Sequence, residues 1–168
     1  EYNIAIGNYS LDANTTGDYN LGIGHNALTA NTAGESNISL GYTSLYSNES
    51  GDRNIAIGTS SLYTNTTGNF NVAVGYNSLL LSTTASSNTA LGYNSLKTNT
   101  TGTLNVALGR DALIYNTTGS DNTALGYHSL VDNTTGIRNI AIGNNAYDDA
   151  DTENDNLAIG YDALGGAI

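Results

Sequence analysis

Asparagine returns every seventeen residues, at Asn3, Asn20, Asn37, Asn54, Asn71, Asn88, Asn105, Asn122, Asn139 and Asn156, with no insertion or deletion between copies. A strict period of this length marks an array of one supersecondary unit, in which each unit is too short to bury its own apolar face and must stack on its neighbours. Residues 1–168 therefore read as a single array rather than a set of domains.

Numbering each asparagine as position one, the row reads Asn, an aliphatic or Thr, Ala, an aliphatic, Gly, often Tyr, any residue, Ser or Ala, Leu, two variable residues, Asn-Thr-Thr-Gly and two more variable residues. Positions two to four alternate aliphatic, small, aliphatic, as in Ile4-Ala5-Ile6 and Val72-Ala73-Val74, and this period of two predicts a short strand. Gly at position five ends it. A second short extended segment is expected around the Leu of position nine, and Asn-Thr-Thr-Gly is expected to turn, with the Asn side chain bonding local backbone and Gly supplying positive φ. No row carries apolar residues at helical spacing, and β-branched residues and Gly occur throughout. The predicted fold is all-β: a parallel β-solenoid, or β-roll, of ten 17-residue coils. At ~4.8 Å per coil such a rod is about 50 Å long.

The supply of core residues bears on assembly. If positions two and four fill the coil interior with position nine, the Ala of position three, replaced only by Gly22 and Ser39, forms an outward apolar column. An exposed apolar column calls for a partner, and three copies around an axis would cover it. A homotrimer is expected on this reading.

Composition narrows the function classes. The 39% of hydrophobic residues suffices for a core, while only 11% are charged. Four Lys and Arg against fifteen Asp and Glu leave a net charge of −11, which repels phosphate backbones and anionic bilayers, so no nucleic-acid partner is expected. There is no cysteine, hence no disulfide and no thiolate chemistry. No apolar run approaches the ~18 residues of a membrane helix, so no membrane insertion is expected. Glu1 is not preceded by a basic and then apolar segment, so no signal peptide is expected and the chain reads as a mature product or an excised fragment.

The pentapeptides Asn54-Ile55-Ala56-Ile57-Gly58 and Asn139-Ile140-Ala141-Ile142-Gly143 resemble the head repeat of trimeric autotransporter adhesins. The fuller form at Asn88 to Gly102 is similar to repeats of phage and viral tail-fibre proteins, although the seventeen-residue row is longer than the usual adhesin-head coil. The resemblance spans the whole chain. It implies a trimeric parallel β-roll in an elongated fibre or adhesin, outside the cell on a virion or cell surface, that attaches to host or cell-surface material. It transfers no catalytic or binding residue, because the shared positions are structural.

Stacking turns the period into contact expectations. Position seventeen should bring Arg53 onto Phe70 and align Asp121, Arg138 and Asp155. Position six should stack Tyr42, Tyr76, Tyr93, Tyr127 and Tyr161, with Arg110 between Tyr93 and Tyr127. These rings either cover coil edges with their hydroxyls in water or stack on sugar rings as a ligand face. Position ten, with Tyr46, Tyr63, Leu80, Lys97, Ile114 and Val131, is unusually apolar for a variable site and offers a second contact between copies.

Acidic residues gather in two places. Asp18, Glu35 and Asp52 share position sixteen, where like charges must splay into water or share a cation. Asp148, Asp149, Asp151, Glu153 and Asp155 replace the usual turn in row nine, either as a solvated acidic turn or as a weak Ca²⁺ site built on Asp149, Asp151, Glu153 and Asp155. No other cofactor is called for.

Catalysis has little support. His25 and His128 lie in distant rows, while Asp111 and His128 share position seven in adjacent rows and should be neighbours. Ser129 completes a nominal triad, but alternation turns it away from His128. The Asn-Thr-Thr triplets at Asn14, Asn65, Asn99, Asn116 and Asn133 match the N-glycosylation sequon, open to modification where exposed along a secretory route. The expected function is a structural and binding segment of a surface fibre or adhesin, with cell-surface glycans as candidate targets. Two alternatives are an extracellular filament stacked end to end through uncovered strands, and an ice-binding solenoid using Thr66, Thr83, Thr100, Thr117 and Thr134.

Overall fold

Positions two to four form one strand in every row, from β1 (Ile4–Ile6), β2 (Leu21–Ile23), β3 (Ile38–Leu40), β4 (Ile55–Ile57) and β5 (Val72–Val74) to β6 (Thr89–Leu91), β7 (Val106–Leu108), β8 (Thr123–Leu125), β9 (Ile140–Ile142) and β10 (Leu157–Ile159). The computed structural model describes residues 2–149 and 151–165. All ten strands join one parallel sheet in chain order, with each residue paired to the one seventeen positions on, as Ala56 to Ala73. The chain is a parallel β-solenoid. Among the described residues there is no helix, and so none long and apolar enough to cross a membrane.

The side chains point the opposite way from the sequence expectation. Ala56, Ala73, Ala90, Ala107, Ala124 and Ala141 are fully buried, while positions two and four face outward: Leu91 is 43% exposed, Val106 41% and Leu108 39%. The reason is space. Across the interior the strand meets the segment at positions eight and nine, and even one carbon atom added at Gly22 would sit 2.6 Å from Ser10 Oγ and 3.4 Å from Leu11 Cγ. Only a small residue fits at position three, so the large aliphatics take the outer face.

Leu of position nine fills the remaining interior. Leu28, Leu45, Leu62, Leu79, Leu96, Leu113 and Leu130 are fully buried in one continuous column, each worth ~1.5–3 kcal/mol of burial. The expected second strand is instead a turn in which these leucines adopt φ of 50 to 54°. Left-handed backbone costs an L-residue roughly 1–2 kcal/mol, and the coil-to-coil ladder holds it in place, as Leu45 N–H donates to Ser61 O at 2.9 Å and Leu62 N–H to Ser78 O at 3.0 Å. Position seven has the same left-handed backbone, which suits the Asn and Asp that recur there, such as Asn94 and Asp111.

The rest of the interior is polar. Asn of positions one and twelve is buried in nearly every coil, and the two form parallel ladders along the rod. In the first, Asn37 N–H donates to Asn20 Oδ1 at 2.9 Å, and Asn37 Nδ2 donates to Gly51 O at 2.8 Å. In the second, Asn48 Nδ2 donates to Asn31 Oδ1 at 2.8 Å and to the same Gly51 O at 3.0 Å. One turn carbonyl thus takes a bond from each ladder, satisfying amides whose burial unpaired would cost ~1–3 kcal/mol each. The turn glycine serves packing rather than positive φ: a β-carbon on Gly51 would lie 2.5 Å from Asn48 Oδ1. Positive φ belongs to the other glycine, as at Gly58 with φ 126°, whose β-carbon would also meet Gly75 O at 2.6 Å.

Candidate functional site

With positions one, three, eight, nine and twelve committed to the interior, chemistry is left to positions six, seven, ten, eleven, thirteen, fourteen, sixteen and seventeen. Position six forms an outer column in segments. Tyr42 stacks with His25 at 5.4 Å between ring centroids, and Thr59 separates this pair from Tyr76. Tyr76 and Tyr93 stack at 5.3 Å, and the Arg110 guanidinium lies 5.5 Å from the Tyr93 centroid and 5.8 Å from that of Tyr127. Tyr161, 78% exposed, stands beyond Asn144. The expected Arg sandwich is present, while the full six-residue column is not continuous.

Rows six to eight bring position seven into the same neighbourhood. Asp111 is nearly buried, and its carboxylate accepts from Asn94 Nδ2 at 3.0 Å and from Arg110 Nε at 2.9 Å, with His128 Nε2 at 3.7 Å. His128 also lies on the Tyr127 ring, with centroids 3.8 Å apart. The expected neighbours Asp111 and His128 do meet. Ser129 is buried, and its hydroxyl donates to Gly126 O at 3.0 Å. It faces away from His128 and does not join the pair.

Two clefts open beside this cluster. One, of about 410 Å³, is lined by Asp111, Ile114, Tyr115, His128, Val131 and Asp132. The other, of about 540 Å³, is lined by Tyr115, Asp132, Thr134, Asp149 and Asp151. Tyr115 and Asp132 belong to both, so the clefts form one trough. Partial burial, then the nearby carboxylates of Asp149, Asp148 and Asp151, push the Asp132 carboxyl above its usual range, and His128 opposes them. Sequence reasoning passed over Tyr115 and Asp132. The available signal was that position eleven, Ala, Ser, Thr or Leu in rows one to six, turns to Tyr115 and Asp132 in the two rows where position seven turns to Asp111 and His128.

The acidic turn of row nine is tied to backbone, hydroxyl and guanidinium groups. Glu153 accepts the backbone N–H groups of Asp151 and Thr152 at 2.9 and 3.0 Å, capping its own turn. Asp151 accepts from the Thr134 hydroxyl, Asp155 pairs with Arg138 through bonds of 2.5 and 2.8 Å, and Asp149 lines the trough. Among the described residues no three His, Asp or Glu side chains gather where they could hold a metal ion. The acidic start of position sixteen has a backbone explanation, since Asp52 Oδ1 accepts Glu35 N–H at 2.8 Å, and Asn69 Oδ1 accepts Asp52 N–H at 2.6 Å. Ser86 and Ser120 do the same for Asn69 and Thr103, so the column asks for an acceptor rather than a charge.

Other expectations resolve into structure. Arg53 lies over Phe70 at 5.4 Å. Tyr46 and Tyr63 stack at 5.0 Å in position ten. The sequon asparagines Asn65, Asn99, Asn116 and Asn133 are fully buried in the position-twelve ladder, so the folded chain offers them to no glycosyl donor. The Thr hydroxyls of position thirteen are spent on the next coil, as Thr100 Oγ1 donates to Thr117 O at 3.0 Å and Thr117 Oγ1 to Thr134 O at 3.0 Å. The chain matches no protein-family model, no curated protein and no solved structure.

Proposed function

We propose that this chain is a structural and binding segment of a surface fibre or adhesin, in which three copies pack strand side to strand side and display their outer columns to a cell-surface glycan. The observation that carries this reading is the outer face of β1 to β10. Positions two and four place only Ile, Leu, Val and Thr there, without one charge, along the full length of the sheet. A solvated face of this size would alternate with polar residues, and an apolar strip broken only by Thr89 and Thr123 is the surface that a second and third copy of the chain would cover.

Assembly gives the binding its strength. Weak contacts on each of three parallel rods add through effective concentration rather than through any single deep pocket. The Tyr76–Tyr93–Arg110–Tyr127 stack supplies ring faces and a guanidinium for a sugar and is fixed by the coil beneath it. Retention of the labelled protein on glycan-bearing cell surfaces tests this reading. Leu108→Lys, which places charge on the strand face, is expected to lower retention by about tenfold or more through lost avidity; equal retention of a monomeric variant would count against it.

A further inference from the structure

The trough over rows seven to nine is a concavity that the Tyr–Arg column does not use, and its make-up is not required by the coil. Elsewhere position eleven holds Ala13, Ala30, Ser47, Thr64, Leu81 and Thr98. Only from row seven does it hold Tyr115, Asp132 and Asp149, and all three line the trough. Departures from a repeat that gather at one place on the surface have a local cause rather than a packing one.

We propose that this trough is a binding subsite for an uncharged oligosaccharide with β-linked, gluco-configured rings. It rests on the reading of the chain as an attachment segment and names the ligand class. Tyr115 is 51% exposed and lines both clefts. A pyranose with all substituents equatorial presents flat faces of axial C–H groups, which stack on such a ring. Ile114 and Val131 extend the apolar floor on one side. Around that floor stand Asp111 and Asp132 in one cleft and Asp132, Asp149 and Asp151 in the other, acceptors for ring hydroxyls on consecutive sugars.

Charge sets the class. No Lys or Arg lines either cleft, and Arg110 Nε and His128 Nε2 both lie against the Asp111 carboxylate. An anionic sugar would meet carboxylates without a free cation, whereas neutral hydroxyls donate to them. No strand residue lines either cleft, so covering the strand face with further copies takes none of the trough's lining.

Isothermal titration of the intact chain with cellotriose, triacetylchitotriose and trigalacturonate tests the proposal. Saturable binding of cellotriose or triacetylchitotriose is expected, with none of trigalacturonate. Tyr115→Ala and Asp132→Asn, both at exposed positions, are expected to weaken it by about tenfold or more. Tyr115→Phe, which keeps the ring, and Phe70→Ala, far from the trough, are expected to change it by less than about twofold. Binding of trigalacturonate alone, binding that survives Tyr115→Ala but is lost in Tyr93→Ala, or no sugar binding at all would overturn the trough. The fibre reading is judged apart from this by native mass: a trimer that binds none of the three sugars removes the subsite and leaves the shaft.

Discussion

Ser82 and Ala85 are a matched pair. Every other described coil from row one to row eight has Asn at the first of these places and Gly at the second, and a β-carbon on Gly34 or Gly102 would lie 2.5 Å from the Oδ1 of Asn31 or Asn99. Row five accommodates the Ala85 methyl because the shorter Ser82 has given up that space. The exchange interrupts the ladder, leaving Asn65 Oδ1 and Ser82 Oγ buried without a hydrogen-bond partner among the described residues. Ser82→Asn alone is therefore expected to destabilise through its clash with Ala85. The Ser82→Asn/Ala85→Gly double variant should be more stable than the parent by ~1–3 kcal/mol, and a double-mutant cycle in chemical denaturation should show favourable coupling above about 1 kcal/mol. Additive single effects would mean the pair is not coupled.

The asparagine ladder carries interior stability as much as the leucine column does. Asn116 Nδ2 donates to Asn99 Oδ1 at 2.8 Å and to Gly119 O at 3.0 Å, so Asn116→Ala strands the buried Asn99 Oδ1 and removes one of the two bonds to Gly119 O, which keeps that from Asn105 Nδ2. A loss of ~2–4 kcal/mol is expected on unfolding. By the same geometry, incubating the folded chain with an oligosaccharyl donor and transferase should add no mass at Asn65, Asn99, Asn116 or Asn133, while the denatured chain should accept it.

The inverted sheet gives a direct contrast between adjacent residues. Ala107→Leu forces three extra carbons into a closed interior and is expected to cost at least ~1–3 kcal/mol. Leu108→Ser changes a side chain that is 39% exposed, and its effect should fall on self-association rather than on the midpoint of coil unfolding measured for the monomer. A reversed order of these two effects would restore the alternative in which position four lines the core.

Acid should loosen row nine first. Backbone N–H groups of the Glu153 turn hold that carboxyl below its ordinary range, and the Arg138 guanidinium does the same for Asp155. A lowered folded pKa contributes stability above the ordinary carboxylate value and loses it as pH falls through the lowered one. Amide exchange around residues 151–155 should therefore accelerate on acidification through that window. In Glu153→Gln the Glu153 share of this acceleration should be absent; an unchanged acid response would show that its carboxylate does not cap the turn.

Much of the fold was legible because the period is strict. The coil count, parallel register, strand placement and the contacts Arg53–Phe70, Asp111–His128 and Arg138–Asp155 all follow from adding seventeen to a residue number. What the period could not report was direction. Ala between two aliphatics is compatible with either face, and the choice of inward Ala depends on the narrow gap to positions eight and nine, seen only in three dimensions. The polar interior was hidden for a related reason: Asn in a turn triplet reads as local turn chemistry, whereas Asn48 bonds the coil before it as well as its own Gly51. The trough escaped because Tyr115 and Asp132 belong to different rows and to a position with no consensus.

The central claim is that the strand-side apolar columns are an interface between copies of this chain, and sedimentation equilibrium at several concentrations tests it most directly. The account predicts a mass near three times 17.4 kDa that does not change with dilution, falling to a single 17.4 kDa in Leu108→Lys with the β-sheet spectrum retained. A parent chain that sediments as a monomer at every concentration would contradict it.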